Sequence, residues 1–114
     1  MANRTPDVSG SAVLILSTAP NREEAAAIAR TLVDERLAAC VQLSPIESWY
    51  RWQGEVEHAD EIRLHIKTTE SRAAAVERRV AELHSYAVPE LVRIPICDGA
   101  SSYLDWIAQE VKQG

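Results

Sequence analysis

The chain has 114 residues, a formal net charge of −5, 46% hydrophobic and 25% charged residues, which is one globular domain rather than a disordered segment. Its acidity argues against nonspecific nucleic-acid binding and against a polybasic membrane surface, both of which need clustered Lys and Arg. Apolar runs fall well short of a bilayer span, and two distant cysteines, Cys40 and Cys97, favour a reduced, cytoplasmic protein over a disulfide framework.

Met1 to Gly10 is polar, lacks the apolar core of a signal peptide, and reads as a disordered leader to a domain over 11–114. Val13-Leu14-Ile15-Leu16 is a continuous apolar run, the pattern of a strand buried on both faces. Asn21, three residues before Glu24, predicts the cap of a first helix whose inward face carries Ala25, Ile28, Ala29 and Leu32. A second strand is expected over Leu37–Leu43, interrupted by Pro45 and resumed over Ile46–Trp52. After a turn at Gln53-Gly54, alternation of Ile62, Leu64 and Ile66 marks a third strand over Asp60–Thr68. Ser71 is the expected cap of a second helix burying Val76, Val80 and Leu83. A fourth strand follows at Leu91–Ile96, and a third helix near Ser102–Val111.

The order β-α-β-β-α-β plus a terminal helix is the α+β ferredoxin-like split βαβ arrangement, with an antiparallel sheet. Two helices cover one face of such a sheet. A first strand apolar on both sides then requires cover on the other face, and a second copy of the chain is the simplest cover. Three of the six aromatic residues, Trp49, Tyr50 and Trp52, crowd onto the expected hairpin. A long edge strand is an aggregation hazard unless paired, so this cluster is expected to clasp neighbouring subunits; a ligand-stacking platform is the second reading.

Several chemistries of this fold are excluded by residue type. The third strand offers Arg63, His65 and Lys67 but no base-stacking aromatic. The loop after the first strand, Thr18-Ala19-Pro20-Asn21, holds neither a Cys pair for a soft metal nor a glycine-rich phosphate cradle. No nucleophile, base and orienting group stand at a spacing that supports an enzyme.

Five segments carry a specific resemblance: Leu37-Ala38-Ala39-Cys40-Val41, Tyr50-Arg51-Trp52-Gln53-Gly54, Lys67-Thr68-Thr69, His84-Ser85-Tyr86 with Pro89-Glu90, and Tyr103-Leu104-Asp105-Trp106-Ile107. In this order the chain resembles the CutA family of divalent-cation tolerance proteins over roughly Val13 to Val111. The resemblance implies a non-enzymatic, PII-like homotrimer, associated with copper or another divalent cation, with no cofactor needed for folding. The alternative is a PII-like sensor with a small ligand in its inter-subunit clefts. Two departures stand out: the family's usual His-Pro-Tyr-Glu is His84-Ser85-Tyr86-Ala87 here, and Ser17 stands where some relatives carry Cys.

Cys40 and His84 are the metal candidates, since thiolate and imidazole both suit copper or zinc. Packing is the commoner role of such a Cys, and capping or pocket lining that of such a His. Glu61, Lys67, Tyr86 and Glu90 form a second set, expected at a subunit cleft. They serve there either as inter-subunit salt bridges or as a pocket for a small anion or metal complex. Glu61 and Lys67 lie six residues apart on one strand, about 20 Å, so their partners come from other segments. His58 and His65 show no convincing partner spacing along the chain.

Overall fold

The computed structural model describes residues 10–111; most of the expected leader and the last three residues of the expected domain lie outside them. The elements are β1 (Ala12–Ala19), α1 (Arg22–Asp34), β2 (Cys40–Trp52), β3 (Glu55–Thr69), α2 (Glu70–Leu83), β4 (Val92–Pro95) and α3 (Ser101–Glu110). They form one antiparallel sheet of order β2-β3-β1-β4, the split βαβ topology.

Strand alternation divides the sheet into two faces. Val13, Ile15 and Ala19 of β1 and Leu64 and Ile66 of β3 point to one side, where they meet Ala25, Ile28 and Leu32 of α1 and Ala73, Val76 and Val80 of α2. This is the core, and Ile15, Leu64, Ile66 and Val80 in it have no exposed surface. Ser17 lies among these side chains with its Oγ buried and without a hydrogen-bond partner. On the opposite face lie Leu14 and Leu16, beside Ile94 and Val92 of β4. Part of that face is covered by α3, which packs on β3 and β1 and buries Ile107. Val92 and Ile94 stay exposed.

Several boundaries depart from the sequence reading, each for a local reason. Asn21 does cap α1: its side-chain oxygen accepts from the Glu24 N–H at 2.8 Å. The second strand, however, starts at Cys40 rather than Leu37. Arg36 takes φ 59°, and the N–H groups of Arg36 and Leu37 return to the carbonyls of Val33 and Leu32. Those two bonds make a Schellman motif, with Arg in the place Gly usually holds. The Arg36 side chain is held in turn, donating to the carbonyls of Gln109 and Glu110, which caps the end of α3.

Pro45 does not interrupt β2. Its register with β3 runs unbroken from Cys40–Lys67 to Trp52–Glu55. The strand is at the sheet edge, where a missing N–H leaves no ladder bond unmade. Thr69, not Ser71, takes the α2 cap position, and the two hydroxyls lie 3.2 Å apart. The fourth strand is shorter than expected, Val92–Pro95, and the terminal helix begins and ends one residue earlier.

The third strand is longer than its own alternation indicates. Only Ile62–Thr69 pairs with β1; Glu55–Glu61 pairs with β2 alone. The two strands therefore leave the sheet as a ribbon tipped by Gln53 and Gly54, both at positive φ, as a type I′ turn requires. This projection gives the chain a radius of gyration of 15.6 Å, against about 13 Å for a compact domain of its length.

Candidate functional site

The segment between α2 and β4 builds the site. It leaves the helix at His84 and passes the end of β1 that β4 does not reach. The His84 side chain is fully buried. Its Nε2 lies 2.5 Å from the Thr18 carbonyl, and its Nδ1 accepts from the Tyr86 N–H at 3.0 Å. These partners assign the neutral Nε2–H tautomer. With Nδ1 accepting, the 3.5 Å approach of Glu24 is not an ion pair. Glu24 instead accepts from the N–H and Oγ of Ser85 at 3.0 and 2.9 Å. The N–H bond is one that a proline at 85 has no donor to make.

Held this way, the segment places Tyr86 and Glu90 against β3. The Tyr86 hydroxyl donates to Glu61 Oε2 at 2.9 Å, and Glu90 forms an ion pair with Arg63. Desolvation pushes the Tyr86 phenol up to about 12, helped by its bond to Glu61 and by nearby carboxylate charge. A cleft of about 780 Å³ opens between this segment and the ribbon, lined among others by Thr18, Trp49, Trp52, Glu61, Tyr86 and Glu90. That volume suits a small organic ligand.

Of the four residues expected at a cleft, three meet there. Lys67 does not: its Nζ donates to the Tyr103 hydroxyl at 3.1 Å, under α3, six positions along β3 from Glu61. The charged residues lining the cleft, among those described, are Glu47, Glu61 and Glu90. Within this chain the cleft is therefore acidic and aromatic, with no cationic side chain among its described lining residues.

Cys40 and His84 do not come together within one chain. Cys40 pairs with Lys67, while His84 binds Thr18, which pairs with Arg63. Four residues along β3 put these levels about 13 Å apart. Both ring nitrogens of His84 are also engaged, so the pair does not fit a metal as it stands.

A different donor set converges on the ribbon. One ligand atom each from Glu47, His58 and Asp60 lies within 4.8 Å of the others, and His58 Nε2 is 3.0 Å from Glu47 Oε1. The turn fixes this register: Glu47 falls opposite Asp60, and Trp49 opposite His58. Trp49 stacks on the imidazole at 4.1 Å between centroids, 15° from parallel, which sets the ring's orientation. The spacing of His58 to Glu61 along one strand concealed the set; counting outward from Gln53-Gly54 exposes it.

The chain matches the CutA1 divalent ion tolerance protein family over residues 13–110. It belongs to that family. A divalent-cation tolerance protein from Thermus thermophilus is 47% identical over 97 residues, covering 84% of this chain and 94% of the relative. An Archaeoglobus fulgidus relative of the same description is 42% identical, over 86% and 96%. Among solved structures, CutA1 from Oryza sativa superposes with a TM-score of 0.90 at 36% identity, over 95% of this chain and all of that one. CutA from Xylella fastidiosa gives 0.88 at 43%, over 90% and 99%. The CutA1 likeness thus spans both the sheet and the ribbon.

Proposed function

We propose that this CutA1-family chain is a non-enzymatic, cytoplasmic homotrimer that binds copper or another divalent cation on its ribbon. The observation that carries the metal reading is the convergence of Glu47, His58 and Asp60. Two carboxylates directly opposite each other on neighbouring strands repel, and a cation between them removes the penalty. Imidazole with carboxylates suits Cu(II), Zn(II) or Ni(II). Donors about 2.1 Å from one ion are at most ~4.2 Å apart, so these exposed side chains need move only slightly to close on it.

Assembly is supported by the ribbon itself. A two-stranded hairpin standing alone is marginal in water, and this one presents Trp49 70% and Trp52 50% exposed. Trp49, Tyr50 and Trp52 are therefore the residues proposed to meet neighbouring subunits. A solved relative from Archaeoglobus fulgidus is described as periplasmic; for this chain two free cysteines support a reducing compartment. No helix among the described residues is long and apolar enough to cross a membrane.

The test is calorimetric titration of the reduced protein with Cu(II) and Zn(II), repeated with His58→Ala and with Cys40→Ala. A tenfold or greater loss of affinity in His58→Ala, with Cys40→Ala unchanged, is expected; equal affinity in wild type and His58→Ala overturns the site. A stable monomer by light scattering at micromolar concentration overturns the trimer. A second reading, a PII-like sensor of a small ligand, is favoured by one observation, the cleft beside Tyr86.

A further inference from the structure

The second reading leaves the ligand of the cleft undefined, and the lining narrows its chemistry. Glycine is missing from the described lining, as are lysine, arginine and histidine, so neither a phosphate cradle nor an anion's counter-charge is available. What lines it instead is aromatic surface and carboxylate: Trp49, Tyr50, Trp52 and Tyr86 with Glu47, Glu61 and Glu90.

The three carboxylates differ in how their charge is met. Glu90 faces Arg63, and Glu47 has the His58 imidazole beside it. Glu61 is 8% exposed, and its one hydrogen-bond partner among the described residues is the neutral Tyr86 hydroxyl. A buried carboxylate without a cation is costly. A cation entering the cleft supplies what Glu61 lacks, and the aromatic faces around it attract the same charge, most strongly once water is excluded.

We infer that the cleft binds a small organic cation of the alkylammonium class, its charge set against Glu61 and its carbon shell against Tyr50, Trp52 and Tyr86, the two ribbon aromatics being those that strand alternation puts on the same face as Glu61. This rests on the small-ligand reading of the cleft and deepens it. Inorganic divalent ions are not the fit here. The space is some 780 Å³, far larger than a metal's coordination shell, and four of its twelve described lining residues are aromatic. The donor cluster at His58 and the cleft at Glu61 thus suit two kinds of cation, with Glu47 at the border of both.

Three probes of nearly one shape separate the possibilities: tetramethylammonium, neutral tert-butanol and anionic pivalate. Each is titrated calorimetrically into the full-length protein at matched ionic strength, after chelation of divalent metals. Tetramethylammonium is expected to bind at least tenfold more tightly than tert-butanol, with pivalate weakest. Glu61→Gln, which keeps the shape of the side chain, should erase that preference. Trp52→Leu, which keeps an apolar side chain at a half-exposed position, should weaken the cation at least threefold when compared at a protein concentration where light scattering gives both proteins the same mass. If tert-butanol or pivalate binds as well as the cation, the charge assignment is overturned and the small-ligand cleft stands. If none of the three binds, both fall.

Discussion

A single strand, β3, runs through two regions that differ in almost every physical respect. From Ile62 to Thr69 it lies between β1 and β2 under two helices, and Leu64, Ile66 and Thr68 have no exposed surface. From Glu55 to Asp60 it pairs with β2 alone, and its side chains are mostly exposed. In the body, stability comes from apolar area removed from water. In the ribbon it comes from cross-strand pairs such as Trp49 on His58, each contributing about 0.2–1 kcal/mol. The body thus holds a buried core of its own, whereas the ribbon does not, and the candidate site residues sit on the ribbon or where it joins the body.

The largest expected effect separates the two regions. Leu64→Ala removes a fully buried side chain and should lower the unfolding free energy by about 2–5 kcal/mol, measured by urea denaturation. This loss should not depend on protein concentration. Trp52→Ser, at a half-exposed position, should cost little in the folded chain but shift the light-scattering mass toward monomer. Any loss of stability it brings should grow on dilution, as mass action requires of an interface residue. Concentration-independent losses of equal size in both variants would mean that Trp52 stabilises the folded chain itself and not a contact between chains.

An intermediate effect tests the junction. The Tyr86 phenol is raised to about 12 when folded, above an ordinary value of about 10. Because the folded value is the higher, the contribution of the Tyr86–Glu61 bond is fully present below pH about 10. It is lost as the pH rises from there through about 12. Tyrosinate absorbance should therefore show one tyrosine titrating late in the wild type and earlier in Glu61→Gln. Identical titration curves would remove the Glu61 bond as a cause of the shift.

How far all this was legible in sequence follows the same division. The body's order was readable because alternation of Ile62, Leu64 and Ile66 and the helical spacing of Ala25, Ile28 and Leu32 reflect direct contact with the core. Asn21 acted as the cap its spacing to Glu24 implied. The ribbon was legible only in part. Glu55 to His58 show no apolar alternation, since they are exposed on both faces of the ribbon, and Pro45 reads as an interruption although an edge strand can carry it without losing a ladder bond. In the site, Tyr86, Glu61 and Glu90 are gathered by a connecting segment whose course depends on His84 and Ser85 binding Thr18 and Glu24. No spacing along the chain encodes those bonds. Lys67 failed to join them because strand geometry carries it away, under α3.

The smallest effect is at the ribbon's tip, where nothing of the core is touched. Gln53 holds φ 51° and Gly54 φ 85°, the two left-handed positions of a type I′ turn. Gly takes such a conformation without penalty, whereas Gln at the first position is disfavoured where Asn is favoured, because a short polar side chain hydrogen-bonds locally. Gln53→Asn should therefore stabilise the ribbon by up to about 0.5 kcal/mol, the scale of surface changes. Amide hydrogen exchange is the measurement that resolves so local a gain. Protection should rise at Trp52, Glu55 and Glu57 while amides of Ile15 and Ile66 keep the exchange rates of global unfolding. If the core amides slow by the same factor as those of the tip, the ribbon unfolds together with the sheet, and the two regions are one cooperative unit rather than two.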